Sequence, residues 1–153
     1  MNRPISTISW LLMLLLMSVQ VSAQDDKQQT LALVTASDIE FERLTPNAVR
    51  KLFLGIPVSS NDQPLTVLLN NNSDLLNEIF LQKVVYMSER HYERMLVSQT
   101  FRTGRPRPAK FSDHGKLVEA LKSTPGSVSL MWQKDADKDE AIHVLQILWQ
   151  GRH

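Results

Sequence analysis

The segment Leu44–Gly55, LTPNAVRKLFLG, decides the fold class, because it predicts a helix lying between two apolar runs of strand length. Thr45 is a favourable N-cap, and Pro46 suits the first helical position, where a missing N–H costs no intrahelical hydrogen bond. At helical spacing the apolar side chains fall on one face, which we expect to be buried: Val49, Leu52 and Phe53.

The apolar runs on either side are Leu31–Ala36, LALVTA, and Pro64–Leu69, PLTVLL, and both predict buried strands. Strands separated by helices need crossover connections, so this arrangement predicts an α/β fold with a mainly parallel sheet flanked by helices. The last two strands, joined by a polar turn, are predicted to form an antiparallel pair. The predicted order is β-α-β-α-α-α-β-β, with later helices starting near Ser73, Ser88 and Ser112 or Asp113, and strands at Ser127–Trp132 and Ile142–Trp149.

Residues 1–23 predict a cleavable secretory signal peptide. Arg3 gives a short positive region, Trp10–Met17 is an unbroken apolar run, and a small residue, Ala23, stands at the end of the signal. The apolar run is far shorter than the roughly 18 residues that span a bilayer, and an uncleaved anchor is the alternative.

Removal of this signal would leave residues 24–30 as a disordered lead-in and residues 31–153 as a single domain. We therefore expect a periplasmic protein with no stable membrane anchor. The chain has no cysteine. Neither disulfides nor a lipid on a cleavage-site thiol is therefore available, and stability has to come from packing.

The overall charge is balanced, with 17 Lys and Arg against 16 Asp and Glu. Such a balance gives no general attraction to nucleic acid or to an anionic membrane, so we expect no nucleic-acid partner. Any electrostatic recognition has to be local.

One local concentration of charge lies in Phe101–Phe111, FRTGRPRPAKF, which is predicted to be irregular because of its glycine and two prolines. Such a loop could bind an anionic ligand or an acidic patch on a partner protein, and the alternative is a solvated loop. Four cations stand within it: Arg102, Arg105, Arg107 and Lys110.

Three segments resemble phosphate-type solute-binding proteins of ABC importers. Leu44–Gly55 resembles their "LS…IFLGK" segment, and Phe101–Pro108, FRTGRPRP, resembles the "F-TG-GRPP" loop of the small, single-lobe members. Thr124–Leu130, TPGSVSL, stands where this superfamily has "PGAIGY". The resemblance implies one lobe of a type II periplasmic-binding fold. Full-length members clamp their ligand between two lobes, so a second copy or a partner protein would have to close the cleft here.

The resemblance also implies an oxyanion site at the start of the helix after the second strand, where free N–H groups point at the ligand. Asn70 stands near the family's Arg, and Asn72-Ser73-Asp74 replaces its Ser-Gly-Thr. Asp74 would repel phosphate, and an ordinary N-cap with an acidic first turn is the alternative. The candidate ligand-binding residues are Asn72, Ser73, Arg102, Arg105 and Arg107.

Other site patterns point away from catalysis and metal binding. The acidic run Asp135–Glu140 has Glu140 where a calcium loop needs glycine, and the four histidines lack metal-type spacing. No thiol nucleophile, G-x-S-x-G elbow or P-loop is present, so we expect neither an enzyme nor a cofactor.

Two functions are therefore predicted as alternatives. The chain is either an exported binding protein for phosphate or another small anion, or a periplasmic interaction or sensory-accessory protein that has lost small-molecule binding.

Overall fold

The computed structural model describes residues 28–38 and 40–151. The predicted signal peptide, and all of the predicted lead-in before Gln28, lie outside the described residues. Within those residues, no helix is long and apolar enough to cross a membrane.

The order of elements confirms the predicted α/β class. An additional two-stranded hairpin and two short elements, the strand Ala109–Phe111 and the helix Gln133–Ala136, were not predicted. In chain order the elements are β1 Gln29–Thr35, α1 Pro46–Phe53, β2 Ser59–Ser60, β3 Gln63–Pro64, β4 Thr66–Asn70, α2 Asp74–Ile79, a π-helix Phe80–Val85, α3 Glu89–Thr103, β5 Ala109–Phe111, α4 His114–Ser123, β6 Ser127–Trp132, α5 Gln133–Ala136 and β7 His143–Gly151.

The central sheet has five strands in the order β5-β4-β6-β1-β7. β4 runs parallel to β5 and β6, whereas β1 is antiparallel to both β6 and β7. The strands β4, β5, β6 and β7 therefore share one direction, and β1 runs in the opposite one. The predicted pairing of the last two strands is wrong, because β1 lies between them. The reason is burial: Leu31–Val34 are fully buried, so this strand needs a neighbour on each side, whereas β7 is partly exposed and forms an edge.

Alternate side chains of β1 enter two different cores. Leu31 and Leu33 pack under α1, α2, the π-helix and α3, while Ala32 and Val34 pack with α4 and α5 on the other face. Burying a leucine side chain contributes about 1.5–3 kcal/mol relative to leaving it exposed. The helices therefore cover both faces of the sheet, as the α/β class requires.

The helix starts follow the predicted caps. A side-chain oxygen accepts a hydrogen bond from the backbone N–H three residues later at Thr45 and Ser73, at Ser88, where a helix start was predicted, and at Asp113, one of the two predicted alternatives. These interactions are local in sequence, which is why residue type alone located them.

Several predicted boundaries are wrong, including the strand predicted at Pro64–Leu69, which is observed at Thr66–Asn70. The segment Phe101–Phe111 is irregular only over residues 104–108, since α3 continues to Thr103 and β5 begins at Ala109. Gly104, with φ +67°, ends α3 in the left-handed conformation that glycine adopts without strain. At the amino end, β1 starts at Gln29, so residues 29 and 30 belong to the sheet and not to a disordered lead-in.

Candidate functional site

Asn70, at the carboxyl end of β4, is a buried amide that ties two strands and a loop together. Its Nδ2 donates to the backbone oxygen of Leu130 in β6 at 2.9 Å, and its Oδ1 accepts from the backbone N–H of Asn72 at 3.2 Å. Only 8% of the residue is exposed. Both polar atoms of this amide therefore serve the packing of the strand end.

Ser73 forms the N-cap of α2 in the ordinary way. Its Oγ accepts from the backbone N–H of Leu76 at 3.3 Å, and α2 itself is only six residues long. Asp74 stands in the first turn, where its carboxylate complements the positive end of the helix dipole. Asn72 is exposed at the same turn. This geometry is that of a capped helix with an acidic first turn.

The four cations of the 102–110 segment are not equivalent. Glu93, on α3, contacts both Arg107, at 3.3 Å from Nη1 to Oε2, and the Nζ of Lys110. Arg102 lies in the last turn of α3 and Arg105 follows Gly104, and both are exposed. Among the described ion pairs neither of these two takes part, so they are the cations that are open to a ligand.

The structure does not bring the two groups of predicted site residues together. Leu68 of β4 pairs with Ala109 of β5, so Arg105 and Arg107 lie beside the amino half of β4. Asn72 and Ser73 follow the carboxyl end of the same strand. With a rise of about 3.3 Å per residue, the two groups are at opposite ends of β4, and Arg102 lies farther back on α3.

A groove of about 390 Å³, the basic groove, lies beside residues 104–108, the basic loop. Its walls are the carboxyl end of α1, the first residues of β4 and the loop itself, and most of its lining is apolar. The charged residues among those that line it are Arg105 and Arg107, with Pro106 and Pro108 beside them. β5 pairs with β4 only from Leu68 onward, so the groove lies against the part of β4 that β5 leaves uncovered.

Tyr92 anchors α3, and with it Glu93, to the core. Its hydroxyl donates to the backbone oxygen of Phe53 at 2.8 Å, and its ring meets the ring of Phe80 edge to face at 5.2 Å. Burial, followed by the negative charge of Glu93, raises the pKa of Tyr92 above its usual value. The tyrosine therefore stays neutral and holds the helix in position against α1.

Sequence reasoning located the arginines but missed the groove that two of them line. The prolines at 106 and 108 were the available signal, because they remove backbone donors and so prevent the loop from pairing with β4. The wall supplied by α1, at Leu52 and Ile56, depends on tertiary packing and had no local signal.

A single α/β lobe with helices on both faces of its sheet is the class of structure that these elements define. No family model matches the chain, and no curated protein sequence matches it. Among solved structures, the chain is similar to the crystal structure of PstS from Borrelia burgdorferi, with a TM-score of 0.55 and 14% identity over 78% of this chain. The match covers 47% of PstS, so the chain spans about half of its length. The likeness shows the fold alone, a periplasmic-binding-protein-like α/β fold shared with about half of PstS.

Proposed function

We propose that this chain is an exported lobe of the solute-binding-protein type that binds an acidic segment of a partner protein. One observation carries the proposal: Asn70 and Ser73 are engaged within the fold, while Arg105, which has no ion pair among the described residues, lines an open groove beside Arg107, the partner of Glu93. A lobe with one wall buries too little of a small ligand, since such sites enclose about 70–90% of the ligand surface. A partner protein would itself supply the surface that a second lobe supplies in a two-lobed protein.

The chemistry of the groove selects the partner. An apolar lining with two guanidinium groups suits an extended segment that carries Asp or Glu beside apolar side chains, because guanidinium groups bind carboxylates through paired hydrogen bonds. Charge complementarity of this kind sets specificity and the rate of association more than total affinity. Binding is therefore expected to weaken as salt increases.

A pull-down from periplasmic extract, followed by titration of the purified partner, tests this function. Arg105→Glu and Arg107→Glu should each weaken the affinity of the purified partner at least about 10-fold, as loss of one good charge pair does. Lys116→Glu, an exposed change of the same charge on α4, is the matched control and should leave affinity unchanged. An identified partner that binds all three variants equally well would contradict the proposal.

Glu93→Gln gives a change in the opposite direction. The variant removes the carboxylate that contacts Arg107 and Lys110, so both cations become available to an acidic segment. We expect the partner to bind a few-fold more tightly and to associate faster at low salt. Weaker binding would mean that Glu93 is needed to shape the loop and that its charge does not oppose the partner.

Binding of phosphate or another small anion is the second candidate, and the fold likeness to PstS favours it. The cavity beside Asn70 and Lys110 holds only about 20 Å³, room for about one water, and Glu89 and Glu93 also line it. We therefore expect no heat in calorimetric titrations of the mature protein with millimolar phosphate or sulfate. Heat that is reduced in both Ser73→Ala and Arg105→Gln, with a doubled mass by light scattering, would favour this candidate and a cleft closed by a second copy.

A further inference from the structure

A second cavity lies away from the basic groove, between the start of α1, the end of the π-helix and the middle of β7. Its volume is about 210 Å³, below the roughly 300–1,000 Å³ of sites for drug-sized ligands, so it suits a small molecule. Its lining includes the buried apolar residues Val49 of α1, Val84 of the π-helix and Leu44, which precedes α1, together with Leu148 of β7. The cavity therefore offers an apolar surface to a ligand.

The charged residues that line this cavity are both cations, Arg43 and Lys83. Both are exposed, and neither takes part in an ion pair among the described residues. Arg50 adds a third positive charge nearby, since its Nε donates to the backbone oxygen of Val85 at 2.9 Å. The acidic residue nearest to Arg43 in the sequence is Glu42. Its backbone N–H and backbone oxygen are both hydrogen-bonded to the Ser60 hydroxyl in the β2–β3 hairpin.

Tyr86 lines the same cavity in a backbone conformation that glycine usually provides. Its φ is +55°, it follows directly after the π-helix, and the residue is 66% exposed. π-helices and left-handed non-glycine residues both concentrate at functional sites, because elsewhere their strain has no compensation. An exposed aromatic ring held in this way supplies a further wall for a ligand.

We infer that this cavity binds a small amphipathic anion, an alkyl or aryl carboxylate whose tail lies on the apolar lining and whose carboxylate faces Arg43 and Lys83. A neighbouring depression of about 310 Å³ shares Arg43, Gln146 and Ile147 with the cavity and extends the space available to a tail. This site is separate from the groove at Arg105 and stands whether or not that groove binds a partner.

Titration with octanoate, followed by protein-detected NMR, tests the site, and 1-octanol serves as the uncharged control ligand. Octanoate should shift the amide signals of residues 83–86 and 146–148 and should bind at least 10-fold more tightly than octanol. Lys83→Gln and Arg43→Gln should each weaken octanoate binding about 5-fold or more while leaving octanol binding unchanged. Lys116→Gln, on the distant helix α4, is the matched control and should bind octanoate like the wild type.

Three results would overturn the inference. No shifts at millimolar octanoate would mean that the cavity takes no such ligand. Equal affinity for octanoate and octanol would remove the role of the cations. Shifts confined to residues 105–109 would place the anion in the basic groove instead of this cavity.

Discussion

Tyr86 has a left-handed backbone that a β-carbon disfavours, by roughly 1–2 kcal/mol relative to the ordinary helical region. Its side chain is mostly exposed and contributes little to the core. The sequence around Tyr86 does not mark this conformation. At the end of a helix, glycine is the residue that usually adopts it, and here the residue is tyrosine. The conformation was therefore not predictable, whereas the helix caps at Thr45 and Ser73, which depend on residue type, were.

Replacing Tyr86 with glycine should relieve this conformational cost. We expect the free energy of unfolding to rise by about 0.5–1 kcal/mol, since part of the gain is lost to the greater freedom of glycine in the unfolded chain. Urea unfolding of the wild type and the variant measures the difference. Octanoate should bind the variant more weakly, and a variant that is both less stable and unchanged in binding would contradict this account.

Tyr92 gives a prediction about pH. Burial raises the pKa of its hydroxyl in the folded chain, whereas the pKa of a tyrosine in an unfolded chain is about 10. Above that pH the unfolded state releases a proton that the folded state keeps, so stability is complete below about pH 10 and falls as the pH rises further. The difference in unfolding free energy between the wild type and Tyr92→Phe, measured in urea at pH 9 and pH 11, should shrink at the higher pH.

At pH 7 the same variant should be less stable by about 1–2 kcal/mol, because the buried oxygen of Phe53 loses its donor. Tyr86→Phe removes a hydroxyl from an exposed ring and is the control, with no such loss expected. A pH response that is identical in the wild type and Tyr92→Phe would show that this hydroxyl ionises normally.

The short helix α2 shows how much of the candidate site the sequence could and could not predict. Its N-cap at Ser73 was predicted from residue type, and so was the acidic first turn. The use of Asn70 to hold β6 could not be predicted, because Leu130 lies 60 residues away in the sequence. The ends of α3 and β5 were missed for a different reason: Gly104 and the prolines mark only residues 104–108, and a three-residue strand has too short a pattern to detect.

Ser73→Ala should destabilise the protein by about 1 kcal/mol through loss of the cap of α2. Chemical denaturation measures this loss, and Ser98→Ala, an exposed position within α3, is the control. Binding to the proposed protein partner should remain, since the proposed groove lies at the other end of β4. Loss of partner binding in this variant without loss of stability would place recognition at α2.

The five-stranded sheet is organised around β1, the first of the strands in the described residues. Its residues pair with β6 from Leu31 to Val34 and with β7 from Gln29 to Thr35, and Thr35 also donates to the buried backbone oxygen of Ser127 at 2.7 Å. The continuous apolar run of β1 predicted a buried strand but not its direction, because burial on both faces looks alike in parallel and antiparallel strands.

Hydrogen exchange should reproduce this organisation. We expect the amides of Leu31–Val34 to be the most slowly exchanging of the sheet and those of β5 to exchange fastest, because β5 is a three-residue edge strand with largely exposed side chains. Amide exchange measured by NMR at neutral pH tests the order. Faster exchange in β1 than in β5 would contradict the observed strand order.

The central place of β1 also has a consequence for how the chain acquires its structure. Both neighbours of this strand come from the last part of the sequence, about a hundred residues later, and such distant pairing raises the contact order and slows folding. During synthesis, the apolar residues of β1 leave the ribosome long before β6 and β7 and stay without these two partners until nearly the whole chain has been made. We therefore expect the chain to be prone to aggregation until its last strand is in place.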